Sequence, residues 1–171
     1  MDPLEKRKVT ASIKDQGLGQ GEKPDYYTLK SAVSFIKHEP DPWYTACIGP
    51  DCNKKVTEAM NGQWNCEKCN KTYDQCKRRY MLSLILQDSS GQAWFTAFDD
   101  IANKLVGKTA DEMHEMKSSG DPGYEAAYSS ALFKSYLVKA RSKNENYNDE
   151  SRVKSQIIQV SNYKIKEFSL K

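Results

Sequence analysis

All five cysteines of this 171-residue chain lie in one short stretch, "ACIGPDCNKKVTEAMNGQWNCEKCNKTYDQC". Four of them form two close pairs with the spacing C-x4-C-x13-C-x2-C: Cys47 with Cys52, and Cys66 with Cys69. Structural zinc takes four thiolates at the corners of a tetrahedron, and two pairs on tight turns bring four sulfurs together with little strain. The spacing therefore predicts one structural zinc ion held by these four residues in a short ribbon.

The remaining polar residues argue against an enzyme. Four thiolates close the coordination shell, whereas a catalytic zinc keeps one position open for water. The sequence has two histidines, His38 and His114, and the "HEP" at His38 does not match the H-x-E of zinc deaminases. It also lacks a G-x-x-x-x-G-K-[ST] phosphate loop. We therefore expect a non-catalytic protein, with Cys76 as a free thiol.

Composition and cysteine usage indicate a reducing compartment. The sequence has no run of about 18 apolar residues, and its start, "MDPLEKRKVTASIK", lacks the apolar segment of a secretory signal. Disulfides are rare in the cytosol and nucleus, so clustered cysteines there indicate metal. The net charge of +3 fits any globular protein. Charge alternates from basic to acidic to basic along the chain, which is either ordinary solvated charge or the mark of a positive face.

Hydrophobic alternation and turn residues predict a mainly β domain. The stretch "RRYMLSLILQDSSGQAWFTAF" indicates two strands joined at Asp88–Gly91, because glycine at the tip suits a hairpin. The glycine-rich end of segment 1–24 predicts a flexible arm or linker, and 25–171 is the expected folded domain. Further strands are expected in "YYTLKSAVSFIK", "FKSYLVKARSK" and "SRVKSQIIQVSNYK", the last two joined through "NENYND".

Helices are expected between the third and fourth strands. The first begins at "DDIANKLVG", whose two aspartates are N-cap candidates, and stops at Gly107. In the second, Thr109 stands three residues before Glu112, the spacing of a capping box, and a third short helix follows. Five strands with this helical connection have the plan of the OB-fold, a five-stranded barrel that binds oligonucleotides or oligosaccharides. The four-cysteine ribbon, about 45–77, is then an insert between the first and second strands.

Aromatic residues beside cations are the candidates for nucleic-acid contact. Alternation places Trp94 and Phe98 on one face of "QAWFTAF" and Phe95 on the other, while a barrel needs only one face for its core. Tyr147 has cations on both sides in the sequence. Single-strand binding requires base stacking and phosphate neutralisation; the alternative is that these rings fill the core. The candidate contacts are Phe98, Tyr147, Trp94, Arg141, Lys143, Arg152, Lys154, Arg78 and Arg79.

Several of these strings together resemble a known family. The ribbon with "CNKKV" and "CEKC", followed by "RRYMLSLILQDSSGQAWFTAF" and "YNDESRVK", is similar to the C-terminal DNA-binding domain in the large subunit of replication protein A, over about residues 26–163. The resemblance implies binding of single-stranded DNA in the nucleus, within a heterotrimer that serves replication, repair and recombination. It also implies zinc binding by the two cysteine pairs and base stacking by Phe98 and Tyr147.

The resemblance leaves alternatives open. A telomere-dedicated paralogue of the same protein, associated with telomerase, shares every motif used above. The chain ends in "NYKIKEFSLK", which is too short for the amphipathic helix that joins the family's domain to two smaller subunits, so this stretch by itself does not supply the helix that the family uses for trimer assembly. The domain is alternatively an assembly module with only secondary DNA contact, or an RNA-binding OB-fold.

Overall fold

The computed structural model describes residues 6–163, and the chain divides into two compact units. Among the described residues, the first unit comprises 6–36, 83–97 and 131–163, and the second comprises Lys37–Leu82 and Phe98–Ser130. The strands are β1 (Asp25–Lys37), β2 (Trp43–Ala46), β3 (Thr57–Glu58), β4 (Trp64–Cys66), β5 (Lys71–Tyr73), β6 (Lys77–Asp88), β7 (Gly91–Phe98), β8 (Ser135–Tyr147) and β9 (Glu150–Asn162). The helices are α1 (Thr10–Asp15), α2 (Asp99–Val106), α3 (Ala110–Ser118) and α4 (Gly123–Ala131).

The first unit is built on a closed ring of strands. They pair in the order β1–β8–β9–β7–β6, and β1 also pairs with β6. β7 runs parallel to β9, whereas β8 is antiparallel to both of its neighbours. This is the five-stranded barrel of the OB-fold, and the predicted fold class is confirmed. Apolar side chains that point inward fill the barrel at 0–2% exposure, among them Leu29, Val33, Leu84, Phe95 and Ile157.

The segment before β1 differs from the irregular arm that its glycines predicted. It contains the helix α1, whose Thr10 is 4% exposed. The Thr10 backbone N–H and hydroxyl donate to the Asp88 carboxylate at 2.7 and 2.8 Å. A Cβ on Gly19 would lie 2.7 Å from the Cβ of Ser142, so glycine permits a close approach to β8. Hydrogen bonds to residues distant in the sequence override the local preference for disorder.

The second unit carries the ribbon and the helices that follow β7. Trp43 to Ala46 of β2 pair with the start of β6, and β3, β4 and β5 form a separate three-stranded sheet. Tyr80 is fully buried in this unit, where its hydroxyl donates to the carbonyl of Lys108 at 2.9 Å. The ribbon therefore folds as an insert between the first two barrel strands, as predicted.

Two of the three predicted helix signals are confirmed. Gly107 ends α2 in the left-handed conformation, and at the start of α3 Thr109 and Glu112 exchange the two hydrogen bonds of a capping box, at 2.8 and 3.1 Å. The N-cap of α2 is Phe98, not an aspartate. Asp99 instead accepts the backbone N–H of Tyr80 at 3.0 Å, a partner that the sequence does not place beside it.

The hairpin of β8 and β9 is longer than the sequence indicated. The sequence predicts a connecting loop at "NENYND", but β8 continues to Tyr147 and the turn is confined to Asn148 and Asp149, both with positive φ. Asparagine and aspartate tolerate that conformation, and a two-residue turn of this kind matches the twist of paired strands. Residues 164–171, on which the expectation about the chain's end depends, lie outside the described residues. Within the described part of the chain, the helices are too short or too polar to span a membrane.

Candidate metal centre and nucleic-acid interface

The predicted cysteine pairs converge in the second unit. The sulfurs of Cys47, Cys52, Cys66 and Cys69 all lie within 4.8 Å of one another. The Cys47–Cys69 and Cys52–Cys66 sulfur pairs are each separated by 3.8 Å, far beyond the roughly 2.05 Å of a disulfide. Thiolates about 2.3 Å from a tetrahedral ion lie about 3.8 Å from one another. The four side chains therefore fit a metal ion.

Backbone N–H groups donate hydrogen bonds to two of the four sulfurs. The Gly49 N–H donates to the Cys47 sulfur at 3.2 Å. A hydrogen bond from the Cys69 backbone lowers the pKa of Cys66 to about 7. Metals bind the thiolate rather than the thiol, so donors directed at sulfur favour the binding form. Cys76 stands outside the group of four, half-buried against it.

Arg78 and Arg79, two of the candidate DNA contacts, are engaged in ion pairs within the second unit. Arg78 lies 3.4 Å from Asp111 and Arg79 lies 3.5 Å from Asp99. Both side chains are about a quarter exposed, at 22% and 25%. Each must give up a carboxylate before it neutralises a phosphate, and both side chains are more buried than the ion-paired Arg152 and Lys154, which are 76% and 68% exposed.

The aromatic residues of β7 divide between inside and outside as alternation predicted. Phe95 is 2% exposed and belongs to the barrel core. Trp94, in the first unit, is 53% exposed, and Phe98, in the second, is 41% exposed. The alternative that all these rings fill the core is therefore wrong for Trp94 and Phe98.

One face of the β8–β9 hairpin collects the remaining candidates. Odd-numbered residues of β8 from Arg141 onward face outward, while Val138, Ala140 and Ser142 are fully buried. The strand register places these outward residues of β8 opposite even-numbered residues of β9. All of the candidates in this hairpin thus share its outer face; they are Arg141, Lys143, Tyr147, Arg152 and Lys154.

Two of the four cations on this face, Arg152 and Lys154, are paired with glutamates. Glu150 pairs with Arg152 at 2.9 Å and Glu145 with Lys154 at 3.0 Å, in side chains that are 49–76% exposed. Pairs so exposed contribute little stability and exchange readily with other anions. A cavity of about 410 Å³ lies at the hairpin's end, and Tyr147, 78% exposed, is among the residues that line it.

Sequence reasoning missed Tyr73 beside the cysteine cluster and the exposure of Phe35 on β1. Tyr73 packs against the cysteines, and a hydrogen bond with Cys69 raises the pKa of its phenol to about 12. Phe35 is 47% exposed although alternation from Leu29 and Val33 places it on the inner face of β1. No sequence spacing predicts that Tyr73 lies beside the cysteines. The exposure of Phe35 breaks the alternation of β1, so the sequence pattern does not predict it either.

An OB barrel with a four-cysteine ribbon between its first two strands defines a class of oligonucleotide-binding domain. Residues 26–170 match the family model of the replication factor-A C terminal domain. The chain belongs to this family, which is one of DNA-binding domains and not of enzymes.

Relatives agree with this assignment. The chain is 44% identical over 158 residues to a 70 kDa DNA-binding subunit of replication protein A from Oryza sativa subsp. japonica, covering 90% of this chain and 24% of the relative. It is 38% identical over 162 residues to the corresponding protein of Xenopus laevis, covering 95% and 26%. The chain thus spans about a quarter of the length of these curated relatives.

Two structures solved with DNA resemble the chain closely. A replication protein A heterotrimer bound to single-stranded DNA matches with a TM-score of 0.88 and 35% identity, over 92% of this chain and 36% of the matched chain. Yeast RPA bound to single-stranded DNA matches with a TM-score of 0.82 and 31% identity, over 94% and 89%. Fold and sequence therefore point to the same family.

Proposed function

We propose that this chain binds single-stranded DNA, with the outer face of the β8–β9 hairpin as a principal contact surface. The observation that carries the proposal is the register that places Tyr147 and four cations on that one face. An exposed ring supplies stacking for an unpaired base, and flanking cations neutralise the phosphates on either side. Trp94 and Phe98 supply further exposed rings, each on its own unit.

Charge on the hairpin supports an anionic ligand. Lys143 and Lys154 stand directly opposite each other. Lys154 is paired with Glu145, so an added phosphate would be neutralised mainly by Lys143, which stands beside that pair. The Nε of Arg141 is buried without a hydrogen-bond partner among the residues that the structure describes.

The proposal extends to the metal and the setting. Zinc suits four thiolates at tetrahedral spacing, and it would hold the ribbon structurally. One matched structure is a heterotrimer bound to single-stranded DNA, and by that likeness the partners are the other subunits of a replication-protein-A-like complex. The setting is replication, repair and recombination in the nucleus, or telomere maintenance with telomerase.

Salt dependence of binding to oligo-dT tests the proposal. Phosphate contacts release counterions, so log K is expected to fall linearly with log salt, by about 0.7 per contact on a single strand. Competition with RNA of matched sequence separates DNA from RNA binding, because the 2′-OH distinguishes the two sugars. No binding at low salt would favour the assembly module, and stronger competition by RNA would favour an RNA-binding domain.

Removing hairpin cations is expected to flatten this slope. Lys143→Ala and Arg141→Ala should each reduce the slope by about 0.7, since each removes one phosphate contact. Lys108→Ala is the charge-matched control, because Lys108 is exposed and lies in the second unit's loop between α2 and α3. An equal change in slope for Lys108→Ala would assign the effect to net charge and reject the hairpin face.

A glycine in the ribbon provides a separate test of the metal centre. A Cβ on Gly49 would lie 2.6 Å from the Tyr73 hydroxyl and within 3.4 Å of two cluster sulfurs. Gly49→Ala is expected to lower zinc affinity about tenfold, since overpacking costs about 1–3 kcal/mol. A chelator competition measures the affinity. Gly21→Ala, where a Cβ would meet nothing within 4 Å, should leave the affinity unchanged; equal affinities in all three proteins would contradict the packing argument.

A further inference from the structure

Phe35 and Trp94 form an exposed aromatic corner within the first unit. Their ring centroids lie 5.9 Å apart and their planes meet at 84°. The side chains are 47% and 53% exposed, so each ring keeps open surface although the two are in contact. Edge-to-face packing is a preferred geometry for two rings, and it leaves a right-angled recess between two π surfaces.

The fold turns Phe35 outward against the pattern of its own strand. Val33 is fully buried and Ile36 is 5% exposed, so the inward phase of β1 shifts by one residue between them. Without that shift, Phe35 would join Leu29 and Val33 in the core. Trp94 needs no such shift, because its neighbour Phe95 points inward. Two large apolar rings are therefore held at the surface, where a monomeric protein gains nothing from exposing them together.

We infer that Phe35 and Trp94 together form a base-stacking position for one unpaired nucleobase of the bound strand. This inference rests on the proposed function and adds Phe35, on the first barrel strand, to the contacts. A base stacks on the face of one ring while its edge meets the other, and every base offers the flat π surface that this requires. The outer face of the second and third barrel strands is where OB-folds bind oligonucleotides, and Trp94 lies on the third.

An apolar side chain of a protein partner is the rival occupant, and ring chemistry separates the two. Phe35→Leu retains apolar bulk but loses the π surface, whereas Phe35→Tyr retains the ring. A base requires the ring, so Phe35→Leu should weaken oligo-dT binding about fivefold or more while Phe35→Tyr stays within about twofold of the wild type. A partner's apolar side chain would tolerate leucine.

The experiment measures oligo-dT affinity of the full chain by fluorescence anisotropy, with melting temperatures recorded alongside. Photo-cross-linking of wild-type protein to oligonucleotides containing 5-iodouracil, followed by peptide mapping, should place adducts on Phe35 or Trp94. Unchanged affinity of Phe35→Leu, or adducts confined to other residues, would overturn the inference while leaving DNA binding intact. Absence of any wild-type binding would instead overturn the proposed function.

Discussion

Cys66→Ser protein is expected to purify without stoichiometric zinc and with an unfolded ribbon. Cys66 is fully buried, and its sulfur lies 3.8 Å from that of Cys52. A serine hydroxyl does not replace a thiolate ligand, and structural zinc contributes folding free energy directly, about 10 kcal/mol or more in zinc-finger peptides. Elemental analysis of reduced protein measures the zinc content. Hydrogen exchange in β3, β4 and β5 measures the folding of the ribbon.

The matched control is Cys76→Ser. Cys76 packs against the cluster but is not one of the four converging sulfurs, so this variant should keep one zinc per chain and a protected ribbon. Wild-type protein that lacks zinc when freshly purified under reducing conditions would end the proposal of a structural zinc. Loss of zinc in both variants would instead make Cys76 a ligand and contradict the geometry.

Tyr147→Ala and Phe98→Ala are each expected to weaken single-strand binding by about 1–3 kcal/mol, the contribution of one stacked base. The two rings are 78% and 41% exposed, so truncation should cost affinity far more than stability. Neither change removes a charge, and the dependence of log K on log salt should therefore stay as in the wild type. Titration with oligo-dT at several salt concentrations measures affinity and slope together.

Phe133→Ala is the control for nonspecific effects of removing an exposed ring. Phe133 is 74% exposed and belongs to neither the hairpin face nor the aromatic corner, so its truncation should leave affinity unchanged. A fall in melting temperature without a fall in affinity for Tyr147→Ala or Phe98→Ala would make that ring structural. A changed salt slope would show that truncation had displaced neighbouring cations.

Short-range patterns in the sequence were sufficient to predict most of the helices and strands and the cluster of four cysteines. The four cysteines could be paired from spacing alone, because tight turns fix the positions of residues two to five apart along the chain. Alternation separated Phe95 from Trp94, since successive side chains of a strand point to opposite faces. The capping box at Thr109 could be predicted from the sequence because both partners lie within one helical turn.

Tertiary structure alone decided which polar and aromatic groups are free to bind. Asp99 has the local pattern of a helix cap, yet it bonds to the backbone of Tyr80 on β6 and pairs with Arg79. Alternation along β1 does not mark Phe35 as exposed, and the sequence placed Tyr147 in a loop. Phe35 is exposed because the inward-facing positions of β1 shift by one residue where the neighbouring strands hold it. Tyr147 lies in an extended strand because it pairs with Glu150. The exposure and the hydrogen-bond partners of these residues depend on the packing and pairing of whole strands, which local periodicity does not encode.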